Sequence, residues 1–264
     1  MEISSSQNER IKFVKKLYRR RYREQLGLYI AEGLRLVEDL SRTNSICELY
    51  HTRRLTMSER GRRLLAQITE DQKARVYLCT DRVFAEICDT DTDQGVLAVM
   101  EKPKPVTDWD SHIKQGSILV VDRIQDPGNL GTIIRTALAA GVDGLWLIAG
   151  TVDPFNPKVV RASMGAIGRI AISTMTAQEC VDQCGNLGLK LVAATLDDAV
   201  PYYLADFSQP CALIIGNEAN GVQPYLLQHS LERVLIPIAN EVESLNAAAA
   251  AAILIYEVVR QRQS

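Results

Sequence analysis

The stretch 231–262, LERVLIPIANEVESLNAAAAAAILIYEVVRQR, decides how the second half of the chain is built. Its pattern predicts an apolar strand from Val234 to Ile238, a polar loop and a long helix. Ser244 and Asn246 lie in the loop just before the N-terminus of this helix, and Ser244 is a residue type that caps helices. The first N–H groups of a helix have no partner inside it, so the N-terminus suits a polar or anionic ligand. The alternative is a capped helix with a purely structural role.

Six consecutive alanines, 247–252, favour the first of these two interpretations. Alanine has high helix propensity and almost no side chain, so another backbone or a ligand can approach the helix closely. The apolar run is too short for a membrane span, since Glu257 and Arg260 follow it.

Further short apolar segments precede this stretch and predict a sheet. They are SILVVD (117–122), GLWLIA (144–149), RIAIST (169–174), KLVAAT (190–195) and CALIIG (211–216), with RVLIPI (233–238) in the opening stretch. Helical patterns at 129–140, 157–167 and 177–186 lie between most of them. Apolar strands separated by helices are typical of a parallel sheet covered on both faces, whose ligands bind beyond the carboxyl ends of the strands.

The first hundred residues predict a smaller α/β module, with strands and helices in alternation after a helix at residues 8–22. Pro103 and Pro105 mark a polar linker. We therefore expect a domain at 1–103, a linker at 104–116 and a second domain at 117–264.

Charge is distributed unevenly along a chain whose net charge is −2. The segment 10–23 holds eight basic residues and no acidic one, and it also carries Phe13, Tyr18 and Tyr22. Such a run predicts contact with the phosphates of RNA, although a merely solvated helix face is the alternative. The candidate RNA-binding residues are Arg10, Lys12, Lys15, Lys16, Arg19, Arg20, Arg21 and Arg23.

The composition argues against a secreted or a membrane-spanning protein. Hydrophobic residues make up 47% of the chain, enough for a sizeable core, and neither a secretory leader nor a membrane span is recognisable. We expect a soluble cytoplasmic protein whose six scattered cysteines are reduced. Cys180 and Cys184 are one helical turn apart but lack accompanying ligands, so we expect no metal site.

Three predicted strand ends carry polar residues. The first is VVDRIQDPGNLGTIIRTA (120–137), the second is LIIGNEANGV (213–222), and the third is the opening stretch. Turns alone account for the glycines and asparagines, but less well for Arg135, Glu218 and Ser244. Neither GxGxxG nor GxxxxGK[ST] is present, which argues against an ordinary dinucleotide or P-loop site.

In order and spacing, these three segments resemble the motifs of the SpoU (TrmH-like) branch of the SPOUT RNA methyltransferases, over residues 117–262. The first half resembles the substrate-binding module that often precedes it, through NERIKFVKKL, EGLRLVE and DTDTDQGVLAV. That module is akin to small RNA-binding ribosomal proteins. The resemblance implies an α/β fold with a parallel-sheet SPOUT domain, a deep trefoil knot and a homodimer.

The resemblance also implies S-adenosylmethionine as donor and a ribose 2′-hydroxyl of RNA as acceptor, with ribosomal RNA favoured over transfer RNA. It assigns Arg135, Asn129, Glu218, Ser244 and Asn246 to catalysis. It assigns Thr195, Gly216, Asn217, Ile236 and Leu245 to the cofactor. Arg135 is the family's activator, but a guanidinium is almost never deprotonated. We interpret it as a clamp on a substrate phosphate, and either group remains open as the proton acceptor.

Two other functions compete with this one. A non-catalytic RNA-binding protein of the same fold predicts no turnover, and the presence of Arg135, Glu218, Ser244 and Asn246 argues against it. A nucleotide-dependent enzyme predicts a preference for a nicotinamide or a nucleoside triphosphate, and the missing glycine fingerprint argues against it.

Overall fold

The computed structural model describes residues 2–70, 74–90, 92–239 and 244–263. The strands are β1 (Glu2–Ile3), β2 (Leu28–Glu32), β3 (Ile46–His51), β4 (Arg75–Cys79), β5 (Val96–Glu101), β6 (Ser117–Val121), β7 (Gly144–Ile148), β8 (Ala171–Met175), β9 (Lys190–Ala194), β10 (Val200–Pro201), β11 (Cys211–Ile215) and β12 (Glu232–Leu235). The α-helices are α1 (Glu9–Leu17), α2 (Arg20–Leu26), α3 (Leu34–Ser41), α4 (Glu59–Glu70), α5 (Asp81–Ala85), α6 (Trp109–His112), α7 (Pro127–Ala139), α8 (Pro157–Ala162), α9 (Ala177–Leu187), α10 (Pro224–His229) and α11 (Ala247–Arg262). Short 3-10 helices span Arg53–Met57, Ala166–Gly168 and Tyr202–Leu204.

The first compact unit comprises Met1–Lys104 together with Asp153–Gly168. Its mixed sheet has the order β1-β4-β3-β5-β2, in which β5 is antiparallel to both of its neighbours. The basic segment, expected to be one helix at 8–22, forms two helices instead. Arg19 has extended backbone angles (φ −94°, ψ 127°) and interrupts the helical hydrogen bonding between α1 and α2.

The second unit comprises Pro105–Val152 and Arg169–Ser264. Its sheet has the order β10-β12-β9-β11-β6-β7-β8, and every pairing among its described residues is parallel. The expected parallel sheet is therefore confirmed. The segment expected to be a linker contains α6, whose Trp109 packs edge-on against Trp146 in the core with ring centroids 5.6 Å apart.

Two predicted elements end earlier than expected. The strand predicted to reach Ile238 ends at Leu235, and Pro237 has no N–H to donate to a sheet. The helix predicted at 157–167 ends at Ala162, because Met164 (φ 49°) and Gly165 (φ 88°) have left-handed backbone angles. Within the described residues, no helix is long and apolar enough to cross a membrane.

Candidate active site

A cavity of about 490 Å³ lies beyond the carboxyl ends of β9, β11 and β12 in the second unit. All five predicted cofactor residues line it: Thr195, Gly216, Asn217, Ile236 and Leu245. Two predicted catalytic residues, Glu218 and Ser244, line it as well. Parallel strands bring the loops at their carboxyl ends to one edge of the sheet, which explains why segments distant in sequence meet here.

A tight turn at residues 217–221 forms one wall of the cavity. Asn217 and Gly221 exchange two backbone hydrogen bonds of 3.0 and 2.9 Å across the turn. The Asn217 side-chain oxygen also accepts the N–H groups of Ala219 and Asn220, both at 3.0 Å. Glu218 is therefore presented by a well-ordered turn.

Because Gly216 has no side chain, the Gly221–Val222 peptide at the end of this turn can pack close to it. A Cβ atom built on Gly216 would lie 2.4 Å from both the carbonyl carbon of Gly221 and the nitrogen of Val222. A side chain at this position would collide with the protein's own backbone. The glycine serves the shape of the cavity wall.

Three predicted catalytic residues form a continuous chain of hydrogen bonds. The Asn129 amide donates to Glu218 Oε1 at 2.8 Å, and the Asn246 amide donates to Asn129 Oδ1 at 2.8 Å. These side chains come from α7, from the loop after β11 and from the start of α11. The chain holds the Glu218 carboxylate and the Asn129 amide in a defined orientation at the edge of the cavity.

The cap of α11 differs from the prediction. Asn246, rather than Ser244, is the N-cap residue, and its Oδ1 accepts the N–H groups of Ala248 (2.9 Å) and Ala249 (3.2 Å). Asn246 therefore uses its oxygen for the helix and its amide N–H for Asn129. Ser244 remains in the wall of the cavity.

Among the described residues, the predicted catalytic residue Arg135 belongs neither to the cavity wall nor to the hydrogen-bonded chain. Asn129 and Asn246, by contrast, are joined to the cavity through Glu218. Arg135 lies on the exposed face of α7. An ion pair with Glu218 would give it a structural role, but in the described part of the chain no carboxylate lies within 4 Å of Arg135. Its guanidinium is thus available to a phosphate.

The predicted RNA-binding residues divide into three groups. Arg23 is buried, 2% exposed, and its guanidinium binds Asp153 at 2.5 Å, so it is a structural residue rather than an RNA contact. Four are already paired with carboxylates: the half-buried Arg10 and the exposed Lys12, Lys15 and Arg20. The other three, Lys16, Arg19 and Arg21, are exposed and have no carboxylate within 4 Å among the residues that the structure describes.

The aromatic residues of this segment contribute less to the surface than we expected. Tyr18 donates its hydroxyl to the carbonyl of Ile87 at 2.5 Å and packs with Phe13 against the core of the first unit. Burial raises the pKa of the Tyr18 hydroxyl well above its usual range. Neither ring is free to stack on a base.

A second cavity, of about 640 Å³, lies in the first unit and was not predicted from the sequence. We call it the arginine cavity because Arg35, Arg60 and Arg161 line it, at the start of α3 and beside Thr90 and Thr92. Arg161 reaches Asp89 at 2.7 Å, and its buried Nη1, which has no hydrogen-bond partner among the described residues, lies 3.9 Å from Glu32. Glu32 and Asp39 also line the cavity, so its positive charge is partly balanced by carboxylates.

Sequence reasoning also missed part of the wall of the first cavity. Leu196 and Asp197 follow β9 directly, and Leu254 reaches the cavity from the third turn of α11. The first two could have been found because they follow a predicted apolar strand. Leu254 had no such signal, since its register on the helix depends on how α11 packs.

Comparison with known proteins agrees with this geometry. The SpoU rRNA Methylase family matches residues 116–256, and the MRM3-like substrate binding domain matches residues 8–98. The 23S rRNA (guanosine(2553)-2′-O)-methyltransferase RlmP of Bacillus subtilis is 32% identical over 97% of this chain and 98% of its own length.

Solved structures are similar over nearly the whole chain. The AdoMet-bound rRNA methyltransferase from Sinorhizobium meliloti has a TM-score of 0.88 and 30% identity, covering 98% of this chain and 97% of its own. The SpoU methyltransferase AviRb from Streptomyces viridochromogenes, in complex with AdoMet, has a TM-score of 0.86 and 28% identity, covering 98% and 99%. With three motif segments at one sheet edge and a family match over more than half its length, this chain belongs to the SpoU rRNA methylase family.

Proposed function

We propose that this protein transfers a methyl group from S-adenosylmethionine to a ribose 2′-hydroxyl of ribosomal RNA. The observation that carries the proposal is the hydrogen-bonded chain of Glu218, Asn129 and Asn246 at the edge of the cavity. Family membership supports it, as do the names of the relatives, which are rRNA methyltransferases and in one case specify the 2′-oxygen.

The cavity fits S-adenosylmethionine in size and chemistry. Its volume of about 490 Å³ is within the usual range of small-molecule sites, roughly 300–1,000 Å³. Ile236, Leu245 and Leu254 offer an apolar wall for a flat base, and Thr195 and Asn217 offer polar groups. When bound, S-adenosylmethionine would supply an electrophilic methyl group on a sulfonium.

The residues of this chain would then orient the acceptor. Positioning a hydroxyl in line with a methyl donor can provide a large part of the rate of such a transfer. The hydrogen-bonded chain would hold the ribose, and Ser244 would contact it from the same wall. Arg135 would clamp a neighbouring RNA phosphate through its guanidinium. Since a guanidinium stays protonated and cannot act as the base, the proton of the 2′-hydroxyl would pass to that phosphate as the methyl–oxygen bond forms.

We propose that residues 1–103 bind the RNA substrate and that residues 117–264 carry out methyl transfer. The match to a substrate binding domain at 8–98 supports the first assignment. So do the exposed cations of α1 and α2, which offer contacts to phosphate. An RNA substrate of this kind also leads us to propose the cytoplasm as the place of action.

We further propose a homodimer and a deep trefoil knot in the second unit. Apolar side chains are exposed on α11 (Ile253 and Tyr256) and in the 3-10 helix that contacts it (Tyr203 and Leu204), as expected of a subunit interface. The knot is supported by the route of the chain, which runs from β12, near one edge of the sheet, to α11 packed on α7 and β11.

The deciding experiment incubates the protein with methyl-labelled S-adenosylmethionine and with ribosomal or transfer RNA from a deletion strain. We expect label in one ribose of ribosomal RNA, at the site that loses its 2′-O-methyl group in that strain. Label in transfer RNA would give the alternative substrate. No turnover with either RNA, despite tight RNA binding, would favour the non-catalytic alternative.

A further inference from the structure

Asp122 is a fully buried carboxylate at the carboxyl end of β6, and it does not line the cavity. It accepts four hydrogen bonds: from the backbone N–H of Gln223 at 2.7 Å, from the Gln223 side-chain amide at 2.9 Å, and from Arg123 Nε at 2.9 Å and Nη2 at 3.4 Å. A buried carboxylate is unfavourable unless N–H groups compensate its charge, and here the surrounding N–H groups do so.

The backbone beside Asp122 is held in an unusual conformation. Arg123 has a left-handed φ of 57°, which is unfavourable for a non-glycine residue unless the surrounding structure holds it. Its N–H donates to Thr151 Oγ1 at 3.0 Å, and its carbonyl accepts the Asn217 amide at 2.8 Å and the Gln125 amide at 2.9 Å. The turn after β6 is thus fixed from both sides.

Together these bonds tie the loop after β11 to the turn after β6 at two points. Asn217 at the start of the loop binds the Arg123 carbonyl, and Gln223 at its end binds the Asp122 carboxylate. Glu218 lies between the two points. Asn129, its partner, lies on the segment that continues from the Asp122 turn.

We propose that Asp122 is a positioning residue: it holds the 217–223 loop against the turn after β6, and so sets both the cavity wall and the distance between Glu218 and Asn129. Only the expected effect of Asp122 on the rate of methylation rests on the proposed function. Its expected effect on cofactor affinity does not depend on which RNA is methylated.

The test replaces the carboxylate without changing its size. Asp122→Asn places an amide N–H group against the N–H donors of Gln223 or Arg123. We expect the Kd for S-adenosylmethionine to rise at least about tenfold in calorimetry, and single-turnover methylation at saturating cofactor to slow at least about tenfold. The double variant Asp122→Asn with Gln223→Glu keeps the net charge and reverses one hydrogen bond, so it should recover most of both losses.

Asp143→Asn is the matched control. Asp143 also accepts backbone N–H groups, from Lys114, Gln115 and Ser117, but at the amino-terminal edge of the same sheet. Compared at equal folded fraction, it should leave affinity and rate within about twofold of wild type. Losses in this control as large as those of Asp122→Asn would overturn the proposal, because both variants would then act only through stability.

Two further results would also overturn it: wild-type affinity and rate in Asp122→Asn, or a double variant no better than the single one. If Asp122→Asn does not fold, Gln223→Leu removes the side-chain amide donor and keeps the Gln223 backbone N–H and the two Arg123 donors. It should then weaken cofactor binding at least about threefold, and wild-type affinity would refute the proposal. A wild-type protein that binds the cofactor but methylates no RNA would refute the proposed function instead, since the affinity comparison needs no RNA.

Discussion

At the scale of single residues, Gly216 is a position with no room for a side chain. Gly216→Ala would place a methyl group 2.4 Å from the Gly221–Val222 peptide, so the 217–221 turn must shift. Overpacking of this kind costs roughly 1–3 kcal/mol. We expect a lower melting temperature and cofactor affinity at least about tenfold weaker by calorimetry.

Gly185→Ala provides the control for this change. Gly185 lies on the exposed face of α9, is not among the described lining residues of the cavity, and has nothing within 4 Å of its missing Cβ. This variant should bind the cofactor nearly as well as wild type. If Gly216→Ala also bound it normally, the wall formed by the turn would not belong to the cofactor site.

Arg135 tests the mechanism more directly. Because it is exposed and unpaired among the described carboxylates, Arg135→Ala should change the free energy of unfolding by no more than about 0.5 kcal/mol. Single-turnover methylation should nevertheless be almost abolished. Arg135→Lys should recover little, because an ammonium cannot reproduce a two-pronged phosphate contact.

Arg169→Ala is the matched control, an exposed arginine just before β8 at the opposite edge of the sheet from the cavity. It should methylate at the wild-type rate. Near-normal turnover in Arg135→Ala would remove Arg135 from the mechanism, whatever its melting temperature.

At the scale of elements, the residue that caps α11, Asn246, both accepts N–H groups of the helix and donates to Asn129. Asn246→Ala removes the helix cap and the hydrogen bond to Asn129. It should therefore lower the free energy of unfolding by about 1 kcal/mol and also slow methylation. Asn246→Asp keeps an oxygen for the cap but loses the amide donor. We expect it to melt like wild type and to methylate slowly; equal rates in Asn246→Asp and wild type would show that the cap alone matters.

The basic residues of α1 and α2 and of the break between them lead to a separate prediction about RNA affinity. Replacing Lys16, Arg19 and Arg21 with glutamine should weaken RNA binding and flatten its salt dependence. The slope should fall by roughly one unit for each phosphate that the variant no longer binds. Cofactor binding, measured by calorimetry, should not change.

The same helices supply the control triple, Lys12, Lys15 and Arg20, whose side chains already bind carboxylates. Glutamine at these positions should alter the salt slope less. Equal effects of the two triples would mean that the surface acts through net charge, and an unchanged slope in both would mean that it does not bind RNA.

At the scale of the whole molecule, the exposed apolar surface of α11 predicts self-association. We expect sedimentation of a dimer at micromolar concentration. Tyr256→Glu, which places a charge on a side chain that is 51% exposed, should shift the protein toward monomer without unfolding it. A monomeric wild-type protein, or a dimer unaffected by this change, would contradict the proposed interface.

Much of the fold follows from local pattern. The apolar strands of the second half alternate with helices, and the structure has all of them as one parallel sheet. The ends of elements were less predictable: the break at Arg19 and the early end of β12 arise from backbone angles and sheet pairing that composition does not express.

The sequence by itself determined the family, the parallel sheet and the strand ends that carry the site, since apolar periodicity and motif spacing are local properties. Only the tertiary structure decided that Arg23 is buried against Asp153, that Asn246 rather than Ser244 caps α11, and that Asp122 holds Gln223. Each of these depends on a partner outside its own segment or on the backbone path around it. Pairing of that kind is fixed when β6 and β11 lie side by side and when α2 packs against the 153–168 segment, because a charge that is buried there without a partner would be costly.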